Sequence, residues 1–167
     1  MPDTISDERI WIACDHGGFI AKNSIMKVFG EKGYAFNDVG CYTGDMCRYP
    51  YYASKVCAAV ASGAARRGVL ICSTGIGMSI LANKYKGVRA SLCLDSYMAR
   101  MTRRHNDSNI LCLGGKITGE SIILDIVDSW LVGVFDGGRH EIALDMVRTA
   151  EEYMMNGDLW ISDDPLI

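Results

Sequence analysis

Short runs of consecutive apolar residues alternate along this chain with longer segments whose apolar side chains recur every three or four positions. Residues 9–14 (RIWIAC), 34–39, 68–72 (GVLIC), 88–93 and 110–113 have the length and aliphatic character of buried strands. Between them, residues 19–31, 50–62, 74–84, 96–105 and 121–132 follow a helical period. Pro50 falls at the first position of its helix, where no N–H partner is lost. Strands that are apolar throughout are those covered on both faces, as in parallel sheets. Right-handed crossovers then predict a doubly wound α/β sandwich. A last helix, about 141–155, has no strand after it and needs another surface to pack on. Residues 156–167, polar apart from Leu159, Trp160, Leu166 and Ile167, read as a loose tail or an arm. No linker or repeat interrupts the pattern, which predicts one domain over 1–167 with its core at about 9–155.

Composition narrows the class. At 167 residues and 49% hydrophobic, the chain can bury a core without disulfide or metal staples. A net charge of −3, from 17 basic and 20 acidic residues with no basic run, argues against disorder and against nucleic-acid binding. No apolar run approaches the ~20 residues of a membrane span, and the polar, acidic start is no signal peptide. A soluble cytoplasmic protein is expected. The seven cysteines form no CxxC pair, so most of them read as small buried apolar residues in a reducing compartment.

Doubly wound sheets bind ligands at the carboxyl ends of their strands, and candidate chemistry gathers in the segments that join the elements. Cys14-Asp15-His16-Gly17-Gly18 follows the first strand and suits hydroxyl and anion recognition at a helix start. It reads equally as Asp15 capping a helix with His16 a bystander. Cys72-Ser73-Thr74-Gly75-Ile76-Gly77 follows the third strand, a loop of small residues whose N–H groups can cradle a phosphate or an oxyanion. It is neither a P-loop nor a dinucleotide fingerprint. Cys72, at the lip of that loop, is placed to act as a nucleophile or base, or is simply a structural thiol. His105 ends the fourth helix, and Gly114-Gly115-Lys116 and Asp136-Gly137-Gly138-Arg139-His140 set cations beside glycines. All three histidines (16, 105, 140) fall in such motifs, which suggests one phosphate-binding acid/base site. A metal bound by His16, His105 and Cys72 is the rival, without HxH or HExxH spacing behind it.

Taken together, CDHGGF (14–19), DVG (38–40), YPYYA (49–53), ICSTGIGMSILANK (71–84), GVRASL (87–92), RRHNDSNILCLGG (103–115), IVDSWL (126–131) and FDGGRH (135–140) resemble the ribose-5-phosphate isomerase B family, with its galactose-6-phosphate isomerase subunits. The match runs in order over roughly residues 9–145. The resemblance implies a Rossmann-like five-stranded sheet. It also implies a homodimer, sometimes paired into a tetramer, with active sites shared at the dimer interface. The implied reaction is aldose–ketose interconversion through a cis-enediolate, with neither metal nor cofactor and a small phosphorylated sugar as partner. By position, Cys72 resembles the base, Ser73, Gly75, Ile76 and Gly77 the enediolate cradle, and His105 the residue that opens the sugar ring. Thr74 lies beside the reacting carbons, and Asp15 and Asn106 bind hydroxyls. His16, Arg139 and Lys116 meet the phosphate, and Tyr49 and Arg48 complete the substrate-binding set.

Three positions depart from the family pattern. Arg48 stands where an Asp precedes Tyr-Pro, Ala143 where a second Arg follows GGRH, and Lys116 where an Arg is usual. Lysine offers a point charge in place of a bidentate fork, so the phosphate is expected to be held differently, with Arg48 supplying a cation. Ribose 5-phosphate is the default substrate. A tetrose 4-phosphate, a hexose 6-phosphate or a non-catalytic partner-subunit role are the alternatives.

Overall fold

The computed structural model describes residues 7–162, so the predicted tail beyond Ser162 and the first six residues lie outside the described residues. Five strands and six helices follow one another as β1 (Asp7–Cys14), α1 (Phe19–Lys32), β2 (Phe36–Asp38), α2 (Tyr49–Ala61), β3 (Ala65–Cys72), α3 (Ile76–Ala82), β4 (Ala90–Leu92), α4 (Ser96–Asn106), β5 (Ile110–Gly114), α5 (Glu120–Leu131) and α6 (Arg139–Met155). The strands form one parallel sheet in the order β2-β1-β3-β5-β4. This is the α/β architecture the pattern predicts.

Successive strand side chains point to opposite faces, and here they divide two cores. Ile10, Ile12 and Cys14 of β1, Val69 and Ile71 of β3 and Leu111 and Leu113 of β5 pack with Ile25 and Phe29 of α1 and with Ile123, Val127 and Trp130 of α5. Their neighbours Ala13, Leu70, Cys72, Ile110 and Cys112 pack on the other face with Val56, Cys57 and Val60 of α2 and Met78 of α3. Continuous apolar strands are therefore what two covered faces require. The α6 helix, with Leu144 as its buried residue, lies outside both cores.

Element limits differ from the sequence pattern where local chemistry intervenes. Helix α2 begins at Tyr49 with Arg48 as its N-cap, so Pro50 takes the second position, still within the turn whose N–H groups lack helical partners. Helix α3 starts two residues later than its apolar period, because Gly75 caps it at φ +77°. Helix α6 starts earlier, at Arg139, and β2 and β4 shrink to three residues each at the sheet edges. The described part of the tail, after Met155, has no regular structure, and Leu159 is exposed while Trp160 is half-buried.

The most deeply buried charged side chain among the described residues is a lysine. Lys22 of α1 is 1% exposed and its Nζ donates to both carboxylate oxygens of Asp38 and to the Cys41 carbonyl, each at 2.7 Å. A buried ammonium is tolerated only with such complete pairing. The contact ties α1 to the end of β2 and to the loop beyond it.

Candidate active site

Strand order reverses between β1 and β3, and the carboxyl ends of these two strands open a crevice at that switch point. The Asp15 N–H donates to the Ile71 carbonyl (3.1 Å), closing the end of β1 on β3. Asp15 is buried, and its Oδ1 accepts from the N–H groups of Gly17 (2.8 Å) and Gly18 (3.2 Å). It thus braces the turn into α1, while Gly18 is the N-cap residue itself. Oδ2 takes no hydrogen bond among the described residues. Next to it, His16 Nδ1 lies 3.1 Å from the Cys47 carbonyl, and Nε2 has no partner among the described residues. Asp15 and His16 line a cleft of about 380 Å³ with Met46, Cys47, Arg48, Tyr49 and Pro50.

The β3 end faces this cleft's loop from the other strand. Cys72 is 5% exposed and its Sγ accepts the Gly75 N–H at 3.0 Å. The loop is pinned from β5: Gly115 N–H donates to the Cys72 carbonyl (2.8 Å) and Lys116 N–H to that of Ser73 (3.0 Å). Thr74 Oγ1 accepts from Ile76 N–H, so the Gly75 and Ile76 amides expected in the cradle are both taken up inside the loop. The N–H groups of Ser73, Thr74 and Gly77 have no acceptor among the described residues. Gly77 lies against the Tyr49 ring, so close that an added Cβ would meet it at 2.9 Å. The side chains of Arg48 and Lys116 are exposed and without an ion pair among the described residues. Burial pushes the Cys14, Cys57 and Cys93 thiols up to about 12 and that of Cys112 well above its ordinary value, so these are the apolar fillers the composition suggested.

A second group of expected site residues lies elsewhere. His105 and Asn106 end α4, where the left-handed Asp107 (φ 44°) is clamped by Arg89 and Arg103, both at 2.8 Å. The His105 ring stacks on that of His140, centroids 4.1 Å apart and planes at 10°. Asp136 donates its N–H to the Arg104 carbonyl and pairs its carboxylate with the Arg104 guanidinium (2.8 Å), which holds that carboxyl below its usual range. Arg139 begins α6 and is exposed.

These two groups do not meet within one chain, and the reason is topological. Helices in a wound sheet run back against the strands, so α4 delivers His105 to the side where β5 begins. Cys72 pairs with Gly114 and Gly68 with Ile110, so the length of β5, about 13 Å at a strand's rise, separates the two levels. The sequence reading that gathered all three histidines into one site is corrected for the single chain: His16 lies at one end of the sheet, His105 and His140 at the other. The metal set of His16, His105 and Cys72 is likewise not assembled. Among the described residues, the group close enough to share an ion is His105, Asp136 and His140. The sequence reading gave no role to Cys47, whose backbone holds His16, or to Asp136, and it placed His140 with the other histidines without pairing it to His105; the four-residue spacing of Asp136 and His140 around a helix start was the available signal.

A parallel sheet wound on both faces, with a thiol and free amides at its switch point, defines an α/β enzyme of the Rossmann-like kind. The chain belongs to the ribose/galactose isomerase family, whose pattern matches residues 10–147, and is an aldose–ketose isomerase. It is 41% identical to ribose-5-phosphate isomerase B of Escherichia coli over 145 residues, 87% of this chain and 97% of that one. It is 36% identical to D-erythrulose-4-phosphate isomerase of Pectobacterium atrosepticum over 130 residues, 77% of this chain and 86% of that one. The solved ribose-5-phosphate isomerase B of Clostridium thermocellum superposes with a TM-score of 0.84 at 45% identity, covering 86% of this chain and 97% of its own. No helix among the described residues is long and apolar enough to cross a membrane.

Proposed function

We propose that the chain, as a single cytoplasmic isomerase domain, interconverts ribose 5-phosphate and ribulose 5-phosphate through a cis-enediolate. The observation that carries this reading is Cys72, held by the Gly75 N–H at the mouth of a loop whose Ser73, Thr74 and Gly77 amides have no acceptor among the described residues. The Cys72 thiolate takes the C2 proton of the open-chain aldose. The released electron pair forms the C1–C2 double bond, and the carbonyl oxygen on C1 becomes an oxyanion. The Ser73, Thr74 and Gly77 amides receive that charge, an effect commonly worth 10²–10³ in rate for one donor. Return of the proton from Cys72 to C1, with the O2 proton passing to O1, gives the ketose. Asp15 Oδ2 and Asn106 bind sugar hydroxyls, and His16, Lys116 and Arg139 bind the phosphate.

His105 opens the furanose ring, and it reaches Cys72 only from a second copy of the chain. Two copies packed with the β3 end of one against the α4 end of the other complete both sites. Ile76 and Ile80 on α3 and Leu94 and Tyr97 around the start of α4 are exposed apolar side chains of the kind a partner covers.

Cys72→Ala is expected to lower turnover by about 10²–10⁴, the usual worth of a positioned base, while leaving ligand binding measurable by calorimetry. Full activity in that variant would remove Cys72 from the chemistry.

A second reading keeps the chemistry and changes the sugar. Arg48, Lys116 and Ala143 all alter charge around the phosphate end, and one relative acts on erythrulose 4-phosphate. A panel of four-, five- and six-carbon sugar phosphates, assayed by NMR, separates the two. Arg48→Ala is expected to raise KM for the preferred sugar with little change in kcat. An unchanged KM across the panel would leave Arg48 as solvated surface.

A further inference from the structure

The pair of histidines at the end of α4 is more ordered than ring opening by one residue requires. His105 and His140 come from different helices, separated by β5, α5 and a loop, yet their rings lie 10° from parallel with centroids 4.1 Å apart. Asp136 supplies the third member, its oxygen within 4.8 Å of ligand atoms on both rings. By type the trio would suit a cation. The stack argues against it, because an imidazole binds a metal in its own ring plane at about 2.1 Å. One ion cannot lie in two planes that run side by side.

We propose that His140 is a positioning residue for ring opening: its imidazole, stacked on that of His105, fixes the plane in which His105 meets the ring oxygen of the sugar. This rests on the reading of His105 given above. His105 sits in the last turn of α4, two residues before the left-handed Asp107, and its side chain makes no hydrogen bond among the described residues. The stack is therefore what holds its ring. The loop that carries Asp136 is fastened to α4 at two points, the Arg104 carbonyl and the Arg104 guanidinium, so the partner ring arrives at a set height.

Charge favours the same division of labour. The groups facing His140 are His105 and Arg104 from α4, Asp136 from the preceding loop and Arg139 from its own helix. Burial first, then the positive charges of His105, Arg139 and Arg104, hold the His140 imidazole below its ordinary value, with Asp136 opposing. Two stacked imidazolium rings would repel. The surroundings thus favour the neutral form of the His140 ring.

The test compares kinetics on ribose 5-phosphate for three variants. His105→Asn is expected to lose about 10²-fold in kcat, within the range of a positioned acid or base; wild-type kcat there would overturn the reading of His105 and this proposal together. His140→Ala is expected to lose about tenfold in kcat, the lower part of that range, with KM nearly unchanged. His140→Phe, which keeps a ring to stack, is expected to recover most of the loss. Wild-type kcat in His140→Ala beside a crippled His105→Asn would overturn the positioning role alone, and so would a His140→Phe as poor as His140→Ala. With three histidines in the chain, ring-proton NMR resolves each one. An unchanged His16 signal certifies that a variant is folded. Replacing His105 by Phe should raise the His140 titration midpoint by removing a like charge, and an unmoved midpoint would count against a coupled pair.

Discussion

Gly75 stands at φ +77°, with its N–H on Cys72 Sγ and its α-carbon facing β5, where an added Cβ would come within 2.9–3.0 Å of the Leu113 carbonyl group. The left-handed turn is what lets the amide point back at the sulfur. Gly75→Ala is expected to cost about 1 kcal/mol of stability from the conformation alone, and more than tenfold in kcat as the loop shifts from the thiol. Denaturant unfolding beside steady-state kinetics reads the two effects; an alanine variant with native kcat would show that the loop tolerates the shift. At this scale the sequence was legible where chemistry and backbone need coincide. A run of small residues after an apolar strand can only be a tight loop with free amides, and Cys72 stands out by adjacency. The Asp15 segment was open between bracing and binding because one carboxylate has two oxygens, and Oδ1 serves the turn while Oδ2 is left.

The elements were legible as periods and less so as limits. An apolar period continues through Thr74 and Gly75, but a glycine in the left-handed region ends any helix that approaches it. Lys22 was hidden for a different reason: a lysine on a helix reads as solvated, and nothing local tells that Asp38, sixteen residues on, will meet it under cover. That ion pair reaches the site through the chain, because the loop it anchors at Cys41 leads to Cys47, whose carbonyl holds His16. Asp38→Asn leaves a buried ammonium half-compensated and is expected to cost about 3 kcal/mol, seen as a lower urea midpoint. Lys22→Met added to it should restore part of the loss. A single variant as stable as the parent would mean that water reaches Lys22 in the folded chain.

For the whole molecule, the direction of chain travel decides what one copy can do alone. Strands lead to Cys72 and helices lead back to His105, so residues close in motif order end on opposite sides of the sheet. Sequence spacing does not carry that sign; only the winding does. If two copies complete one another, Cys72→Ala and His105→Asn chains that are each inactive should regain activity when unfolded and refolded together. Random pairing makes half the dimers mixed, each with one intact site, so about one quarter of wild-type turnover is expected. Activity no greater than the sum of the two variants alone would place the whole reaction within one chain.

The buried thiols have a use of their own. Six of the seven cysteines are buried, and those of Cys14, Cys57, Cys93 and Cys112 are held protonated by their surroundings as well as shielded. An alkylating reagent attacks the thiolate, so in the native state both access and reactivity are withheld, and both return when the fold opens. Mass spectrometry of a timed iodoacetamide reaction would then show a lightly labelled and a fully labelled population with little between them. The ratio is a clock for whole-fold opening, distributed across both cores and needing no engineered probe.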